Sequence, residues 1–135
     1  MSISNLIFLF FLLMISMIIG IIWRTNLGKL KSKVRLAISE SELGVKLGKL
    51  GTVVIFTTTF CSECRTAKAI VKDVVKDFKD VAYVEIDAET NLDLVRRIDI
   101  HSTPTTIFLD TKGIEIARAK GAPKRDQLIK AIKVI

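Results

Sequence analysis

The hydrophobic and polar positions divide the chain into an N-terminal apolar run and a C-terminal region of regular alternation. Residues 2–23 contain no charged side chain, and an apolar run of about 20 residues is long enough to cross a bilayer as a helix. A buried core helix is disfavoured, because a small domain rarely encloses a helix that is apolar on every side. A cleaved secretory signal is the other alternative, but no Lys or Arg precedes the run and no A-x-A-like site follows it. The pattern therefore favours an uncleaved membrane anchor over residues 1–23.

The C-terminal region alternates between short β-branched runs and amphipathic stretches. The β-branched runs predict strands over residues 52–56, 81–87, 105–110 and 113–119. Apolar residues three and four apart predict helices over residues 61–79, 88–98 and 123–135. In the last strand, we expect Ile114 and Ile116 to face inward and Glu115 to face outward. The order β-α-β-α-β-β-α predicts an α/β fold in which a central mixed sheet carries helices on both faces.

The net charge of +7 is concentrated in a neck that follows the apolar run. The neck has no acid before Glu40, and its basic residues are Arg24, Lys29, Lys31, Lys33 and Arg35. Such a neck suits anionic lipid headgroups. The rest of the sequence has no basic stripe with interleaved aromatic residues, so it gives no indication of nucleic-acid binding. Because Lys and Arg beside a spanning helix tend to stay in the cytoplasm, we expect a single-pass protein with a cytoplasmic domain; an outward-facing domain is the alternative.

The domain organisation follows from these patterns. We expect an anchor over residues 1–23, a basic juxtamembrane linker over 24–45 and a folded domain over 46–135. Within the linker, Ser39 or Ser41 would begin a short helix.

Both cysteines of the chain lie in the stretch Phe60-Cys61-Ser62-Glu63-Cys64. A zinc site needs about four N or S ligands, whereas this chain has two Cys and one His. A metal would therefore need carboxylates, or a second chain that shares zinc or an iron–sulfur cluster. A structural disulfide is also disfavoured, because closing so short a loop removes little entropy from the unfolded chain. The third alternative is a redox-active pair.

The position of the pair favours the redox interpretation. Cys61 begins a predicted helix directly after a predicted strand, where unpaired backbone N–H groups and the helix dipole stabilise an anion. Cys61 is therefore the expected nucleophile, and Cys64, one turn into the helix, is the expected resolving thiol. Arg65 and Lys68 add positive potential at this end of the helix, and Glu63 opposes it.

Four stretches of the chain resemble the thioredoxin family, over about residues 46–135. VVIFTTTFCSECRTA is similar to the family's strand, loop and active-site helix. VEIDAETNLDLVRRIDIHSTPTTIFLD is similar to the next strand, the short helix and the loop that ends in the family's cis-proline, here Pro104. Gly113 fills the hairpin turn, and GAPKRDQLIKAI is similar to the family's glycine and final helix. The whole chain is most similar to the membrane-anchored thioredoxin-domain proteins of bacteria.

This resemblance implies a thioredoxin-like fold and a thiol–disulfide oxidoreductase that reduces protein disulfides. The redox-active disulfide would join Cys61 and Cys64, with no other cofactor and no metal. The Thr103–Pro104 peptide would be cis and would pack against the cysteines. The expected substrate-binding residues are Phe60, Ser62, Glu63, Thr103 and Pro104. The implied partners are protein disulfide or dithiol clients and an electron donor, such as a thioredoxin reductase or a membrane thiol carrier.

The chain also departs from the family pattern around the cysteines. The family usually has Trp before the first cysteine and Gly-Pro between the two, where this chain has Phe60 and Ser62-Glu63. Losing the proline is expected to make the couple less strongly reducing. Ile55 replaces the family's buried acid and Tyr83 replaces the lysine that partners it. Proton transfer to Cys64 then lacks its usual helper, which predicts slower turnover or an altered pH dependence.

The competing functional class is a non-catalytic binding module. A thioredoxin-like scaffold would hold a partner peptide in the groove near Pro104, or its thiols would bridge a metal with a second chain. His101 precedes this proline by three residues. We interpret it first as an exposed loop residue, and alternatively as a charge that tunes the thiolate.

Overall fold

The computed structural model describes residues 3–26, 30–31 and 36–135. Its elements in chain order are α1 (Ile3–Asn26), β1 (Leu30–Lys31), α2 (Glu40–Leu43), β2 (Gly51–Thr57), α3 (Ser62–Val75), β3 (Val81–Asp87), α4 (Leu92–Arg97), β4 (Thr105–Leu109), β5 (Glu115–Lys120) and α5 (Arg125–Ile132). The predicted order of the C-terminal region is confirmed, with helices shorter than their patterns suggest. The strand β1 was not predicted.

The five strands form one mixed sheet in the order β1-β5-β4-β2-β3. The strands β2 and β3 are parallel, as expected for two strands joined by a helix. The remaining neighbours are antiparallel. Every residue of β2 is buried, because this strand has neighbours on both sides and helices over both faces. The central strands β2 and β4 are both fully buried, and β2 leads into the loop that carries the cysteines.

The sheet separates two apolar clusters, so the chain forms the predicted three-layer α/β fold. On one face, residues of α3 and α5 pack on the sheet, and the fully enclosed members include Val53, Ile55, Ala67, Val71, Phe108 and Leu128. On the other face, α2 and α4 pack on residues that include Val54, Phe56, Ile98, Ile107 and Leu109. The alternation within β2 between the two clusters is the period-2 pattern of a strand.

The helix α1 is apolar on all sides and exposed along its described length. Its segment Ile3–Thr25 is long and apolar enough to cross a membrane, and a signal sequence near the N-terminus has the same character. Of the predicted basic neck, Lys29, Lys33 and Arg35 lie outside the described residues. Arg24 belongs to the last turn of α1.

The packed domain begins earlier than the predicted boundary at residue 46. Ile38 is 1% exposed and Leu43 is 7% exposed, and both belong to the core on the α2/α4 face. The backbone N–H of Ile38 donates to the Gly113 carbonyl at 2.8 Å. Ser39 caps α2 as predicted, in a capping box with Glu42. Residues 38–43, which were predicted to be linker, are therefore part of the folded domain.

The expected outward orientation of Glu115 is wrong, because Glu115 is 3% exposed. A β-bulge causes the difference: Leu109 pairs with Glu115, whereas Phe108 pairs with Ala117. The extra residue on β5 shifts the alternation by one position. It brings Glu115 to the face on which Arg118 lies, and the Arg118 Nε donates to the Glu115 carboxylate at 2.5 Å.

Candidate active site

The two cysteines lie at the N-terminus of α3, where the sequence analysis places them. They are joined as a disulfide with a Cα–Cα distance of 5.2 Å, so the structure describes the oxidised form. Cys61 is the N-cap residue of α3, and its Sγ atom accepts a hydrogen bond from the Cys64 backbone N–H at 3.1 Å. Cys64 is 2% exposed and Cys61 is half-buried. The geometry gives the two sulfurs unequal access to a client.

The loop before β4 faces the disulfide. The Thr103–Pro104 peptide is cis, as predicted, and the Cys61 Sγ lies 3.8 Å from the Thr103 carbonyl oxygen. The Pro104 carbonyl accepts from the Gly121 backbone N–H at 2.8 Å, and the hydroxyls of Thr58 and Thr103 lie 3.2 Å apart. These contacts fix the proline loop to the end of β5 and to the loop that carries the cysteines.

The other predicted substrate-binding residues surround the disulfide on the surface. Phe60 is 96% exposed, and Ser62 and Glu63 are exposed in the first turn of α3. No element covers the Phe60 ring among the described residues, so loop packing does not account for it. The placement agrees with the predicted client contact, which remains a prediction.

A shallow groove of about 280 Å³ runs beside the proline loop. The apolar residues Ala88, Leu92, Val95 and Ile100 line it, together with Thr58, Glu89, His101, Ser102 and Thr103. The Glu89 carboxylate accepts from the Thr59 hydroxyl at 3.0 Å. Glu89 was not predicted as a site residue, because its contact with Thr59 joins positions far apart in the chain.

On the face of the sheet beneath α3, an apolar side chain lies at the position where the resemblance implies the family's buried acid. Ile55 is fully buried there. Tyr83 is half-buried, and burial, together with the charge of Glu85, raises the pKa of Tyr83 to about 12. Among the described residues, the Tyr83 hydroxyl has no hydrogen-bond partner.

An ion pair missed by the sequence analysis lies on this same face. Glu85 pairs with Ile55 across the sheet, and the Glu85 carboxylate contacts the Lys68 Nζ at 2.5 Å. Lys68 is one helical turn after Cys64 on α3, so the two share a helix face. The pair is partly exposed and is the charged group that this face of the sheet presents near the second cysteine.

The buried pair Glu115–Arg118 fixes the segment that leads into the proline loop. The Arg118 guanidinium donates to the Ile98 carbonyl at 3.0 Å and to the Asp99 carbonyl at 3.3 Å. The hydrogen bond with Glu115 raises the pKa of Arg118. His101 is exposed, as first interpreted, and its Nε2 lies 2.7 Å from the Asp99 carboxylate.

The described part of the chain brings together no group of three His, Cys, Asp or Glu side chains with the spacing of a metal site. The predicted absence of a metal and of a further cofactor stays a prediction.

Comparisons with known proteins agree with this geometry. The thioredoxin family model matches residues 37–134. The chain is similar to a thioredoxin of Gallus gallus, with 33% identity over 76% of this chain and 95% of the relative. It is also similar to an H-type thioredoxin of Fagopyrum esculentum, with 31% identity over 64% of this chain and 72% of the relative.

Solved structures show the same likeness. A thioredoxin from Nicotiana alata superposes with a TM-score of 0.57 and 29% identity, over 63% of this chain and 72% of that one. A thioredoxin from Trypanosoma brucei brucei superposes with a TM-score of 0.60 over 76% of this chain and 89% of that one. At 22% identity, the second comparison shows the fold alone.

Proposed function

The chain belongs to the thioredoxin family and is a thiol–disulfide oxidoreductase, and from this premise we propose that α1 anchors it in a bacterial cell membrane, where it reduces disulfides of client proteins. One observation carries the catalytic part of the proposal. The Cys61 Sγ accepts the Cys64 backbone N–H at a helix N-terminus, and this environment stabilises a thiolate. The half-buried Cys61 is therefore the nucleophile, and the buried Cys64 resolves.

The exchange balances over two steps. The Cys61 thiolate attacks one sulfur of a client disulfide, forms a mixed disulfide and releases the other client sulfur as a thiolate. Cys64, after losing its proton, attacks the Cys61 Sγ and releases the second client thiolate. The client gains two electrons, and Cys61–Cys64 becomes the disulfide seen here. A dithiol donor, such as a thioredoxin reductase or a membrane thiol carrier, then reduces the enzyme again.

The proposed direction follows from the proposed location. Arg24 and the neck that follows it place the positive charge on the C-terminal side of α1, and this asymmetry favours a cytoplasmic domain. Cytoplasmic thiol systems keep most protein thiols reduced. A dithiol enzyme in that compartment consequently acts on disulfides rather than creating them.

The catalytic proposal is tested with the full chain in non-ionic detergent. We expect insulin-disulfide reduction with dithiothreitol as the donor, and we expect Cys61→Ser to abolish it. Cys64→Ser, reduced and then freed of dithiothreitol, should retain the attack and accumulate a mixed disulfide with insulin. Ala69→Ser, an exposed substitution on α3, is the matched control and should leave the rate unchanged. Activity that survives Cys61→Ser would overturn the nucleophile assignment. Inactivity with co-purified zinc or iron would support a metal-bridging module instead.

The anchor and its orientation need separate tests. We expect the protein to remain with bacterial membranes after carbonate extraction and to keep α1 in the mature chain, as N-terminal sequencing would show. A reporter fused after Ile135 should indicate a cytoplasmic C-terminus. A carbonate-soluble protein would contradict the anchor, and an exported reporter would contradict the orientation.

A further inference from the structure

The short strand β1 ties the segment after α1 to the edge of the sheet. Leu30 pairs with Ala119 and Lys31 pairs with Arg118, in antiparallel register with β5. The helix α1 ends at Asn26. The connection from Asn26 to Leu30 spans at most about 14 Å, at up to about 3.6 Å per residue. If α1 spans a membrane, the outer edge of β5 is held close to the bilayer surface.

The strand register shows which end of the sheet this connection approaches. Ala119 pairs with Thr106, and Lys120 pairs with Thr105, the residue after Pro104. Because β1 is antiparallel to β5, Leu30 lies nearer than Lys31 to the Lys120 end of β5. That end carries the cis-proline loop, since the Gly121 backbone N–H donates to the Pro104 carbonyl.

The cysteines lie at this same end. Phe56, near the C-terminal end of β2, pairs with Thr105, and the loop from β2 leads directly to Cys61. Leu30 and Pro104 are separated by two strand spacings and two residues, which amounts to about 12 Å at about 4.8 Å per strand and 3.3 Å per residue. The end of α1 therefore lies within about 26 Å of the proline loop, which is the sum of these two lengths.

We propose that the disulfide end of the domain faces the bilayer, and that the preferred substrates are disulfides of membrane proteins positioned within about 26 Å of the end of α1. This inference rests on the proposed anchor and on the proposed reduction. The chemistry is the two-step exchange described above, with two electrons passing from the Cys61–Cys64 dithiol to the client disulfide. The pairing of β1 with β5 limits how far the nucleophile reaches from the membrane. The exposed Phe60 ring and the apolar groove then meet client segments next to the bilayer.

The test uses vesicles that contain the full chain and single-span reporter peptides. Each reporter carries one disulfide, placed directly after the span or after a rigid helical spacer of roughly 40 residues, which holds it about 60 Å away at about 1.5 Å per residue. The enzyme is reduced and freed of dithiothreitol before it is combined with the oxidised reporter, so that the donor does not reduce the reporter itself, and released reporter thiols are labelled with a maleimide. We expect the near disulfide to be reduced at least tenfold faster than the far one. The connection between α1 and β1 raises the effective concentration of Cys61 only for disulfides at the same distance from the membrane.

An insertion variant isolates the tether. Twenty flexible Gly/Ser residues between Asn26 and Leu27 add about 25 Å of average reach, at about 5–6 Å times the square root of the length. This variant should reduce the far reporter faster than the native chain does. The difference in rate between the near and far reporters should largely disappear. The same sequence appended after Ile135 is the matched control and should keep that preference.

The outcomes separate the inference from the proposed function. Soluble insulin reports the redox activity, and flotation with the vesicles reports the anchor. Loss of either would count against the proposed function. Equal rates for near and far reporters, with insulin reduction and flotation intact, would overturn the membrane-facing orientation alone.

Discussion

The backbone N–H of Cys64 donates a hydrogen bond to the Sγ atom of Cys61 at 3.1 Å. The same donor would stabilise a Cys61 thiolate in the reduced enzyme, while Cys64 is only 2% exposed. We therefore predict that limiting iodoacetamide, applied to the reduced chain at slightly acidic pH, alkylates Cys61 at least tenfold faster than Cys64. Peptide mass mapping gives the two rates. In urea the preference should disappear, and equal labelling of the folded protein would contradict the assignment.

The Lys68–Glu85 pair is the charged group that the structure offers near Cys64 in place of the missing buried acid. We predict that Glu85→Gln slows single-turnover insulin reduction about 10-fold, less than the roughly 10²-fold expected from loss of a directly bonded base. It should also flatten the rise of the rate with pH. Asp93→Asn removes an equally charged, exposed side chain from the first turn of α4, on the other face of the sheet, and should keep the slope. Identical pH profiles for Glu85→Gln and the native chain would exclude the role.

The Glu115–Arg118 pair predicts a large effect on stability. Glu115→Ala leaves the Arg118 side chain, which is only 12% exposed, without its counter-charge, and this should cost about 3 kcal/mol of unfolding free energy, the lower end of the range for buried pairs. Replacing both residues by Met should restore most of the loss. Arg97→Ala, which breaks a more exposed pair with Glu42, should cost less than about 1 kcal/mol. Urea unfolding followed by far-UV circular dichroism compares the variants.

The Tyr83 hydroxyl predicts a pH effect on stability. Because the hydroxyl is buried without a partner among the described residues, Tyr83→Phe should change stability at neutral pH by no more than about 0.5 kcal/mol, or raise it. The raised pKa of Tyr83, about 12 against an ordinary 10.0, means that the unfolded chain releases this proton first. The native chain should therefore lose stability relative to Tyr83→Phe as the pH rises from 10.0 towards about 12. Parallel melting-temperature curves over that range would contradict the prediction.

Local patterns were enough for most of the fold and for the catalytic pair. The strand Val81–Asp87 has the predicted bounds, and the cis bond at Pro104 follows the resemblance. These features depend on short apolar runs, a helix N-terminus and a proline, all visible within a few residues. The family resemblance then supplied the contact between Cys61 and the Thr103–Pro104 loop.

The features that were missed depend on partners distant in the chain. The inward turn of Glu115 needs the bulge opposite Phe108 and Leu109, and alternation within β5 alone gives the opposite face. The strand β1 has only two residues, so its own sequence carries almost no β signal. The strand exists because its backbone pairs with β5. For the same reason, the Lys68–Glu85 and Thr59–Glu89 contacts could not be identified from local spacing.

The strand β1 also affects how the protein behaves when its N-terminus is removed. A fragment that begins at residue 36 would lose the partner of Arg118 and Ala119 on the outer side of β5. Open N–H and C=O groups on a strand edge recruit strands from other molecules. Such a fragment should therefore associate edge to edge as its concentration rises, whereas a fragment that keeps Leu30 and Lys31 should remain monomeric to higher concentration. The consequence expected of the pairing of Leu30 and Lys31 with β5 is therefore protection of this sheet edge from self-association.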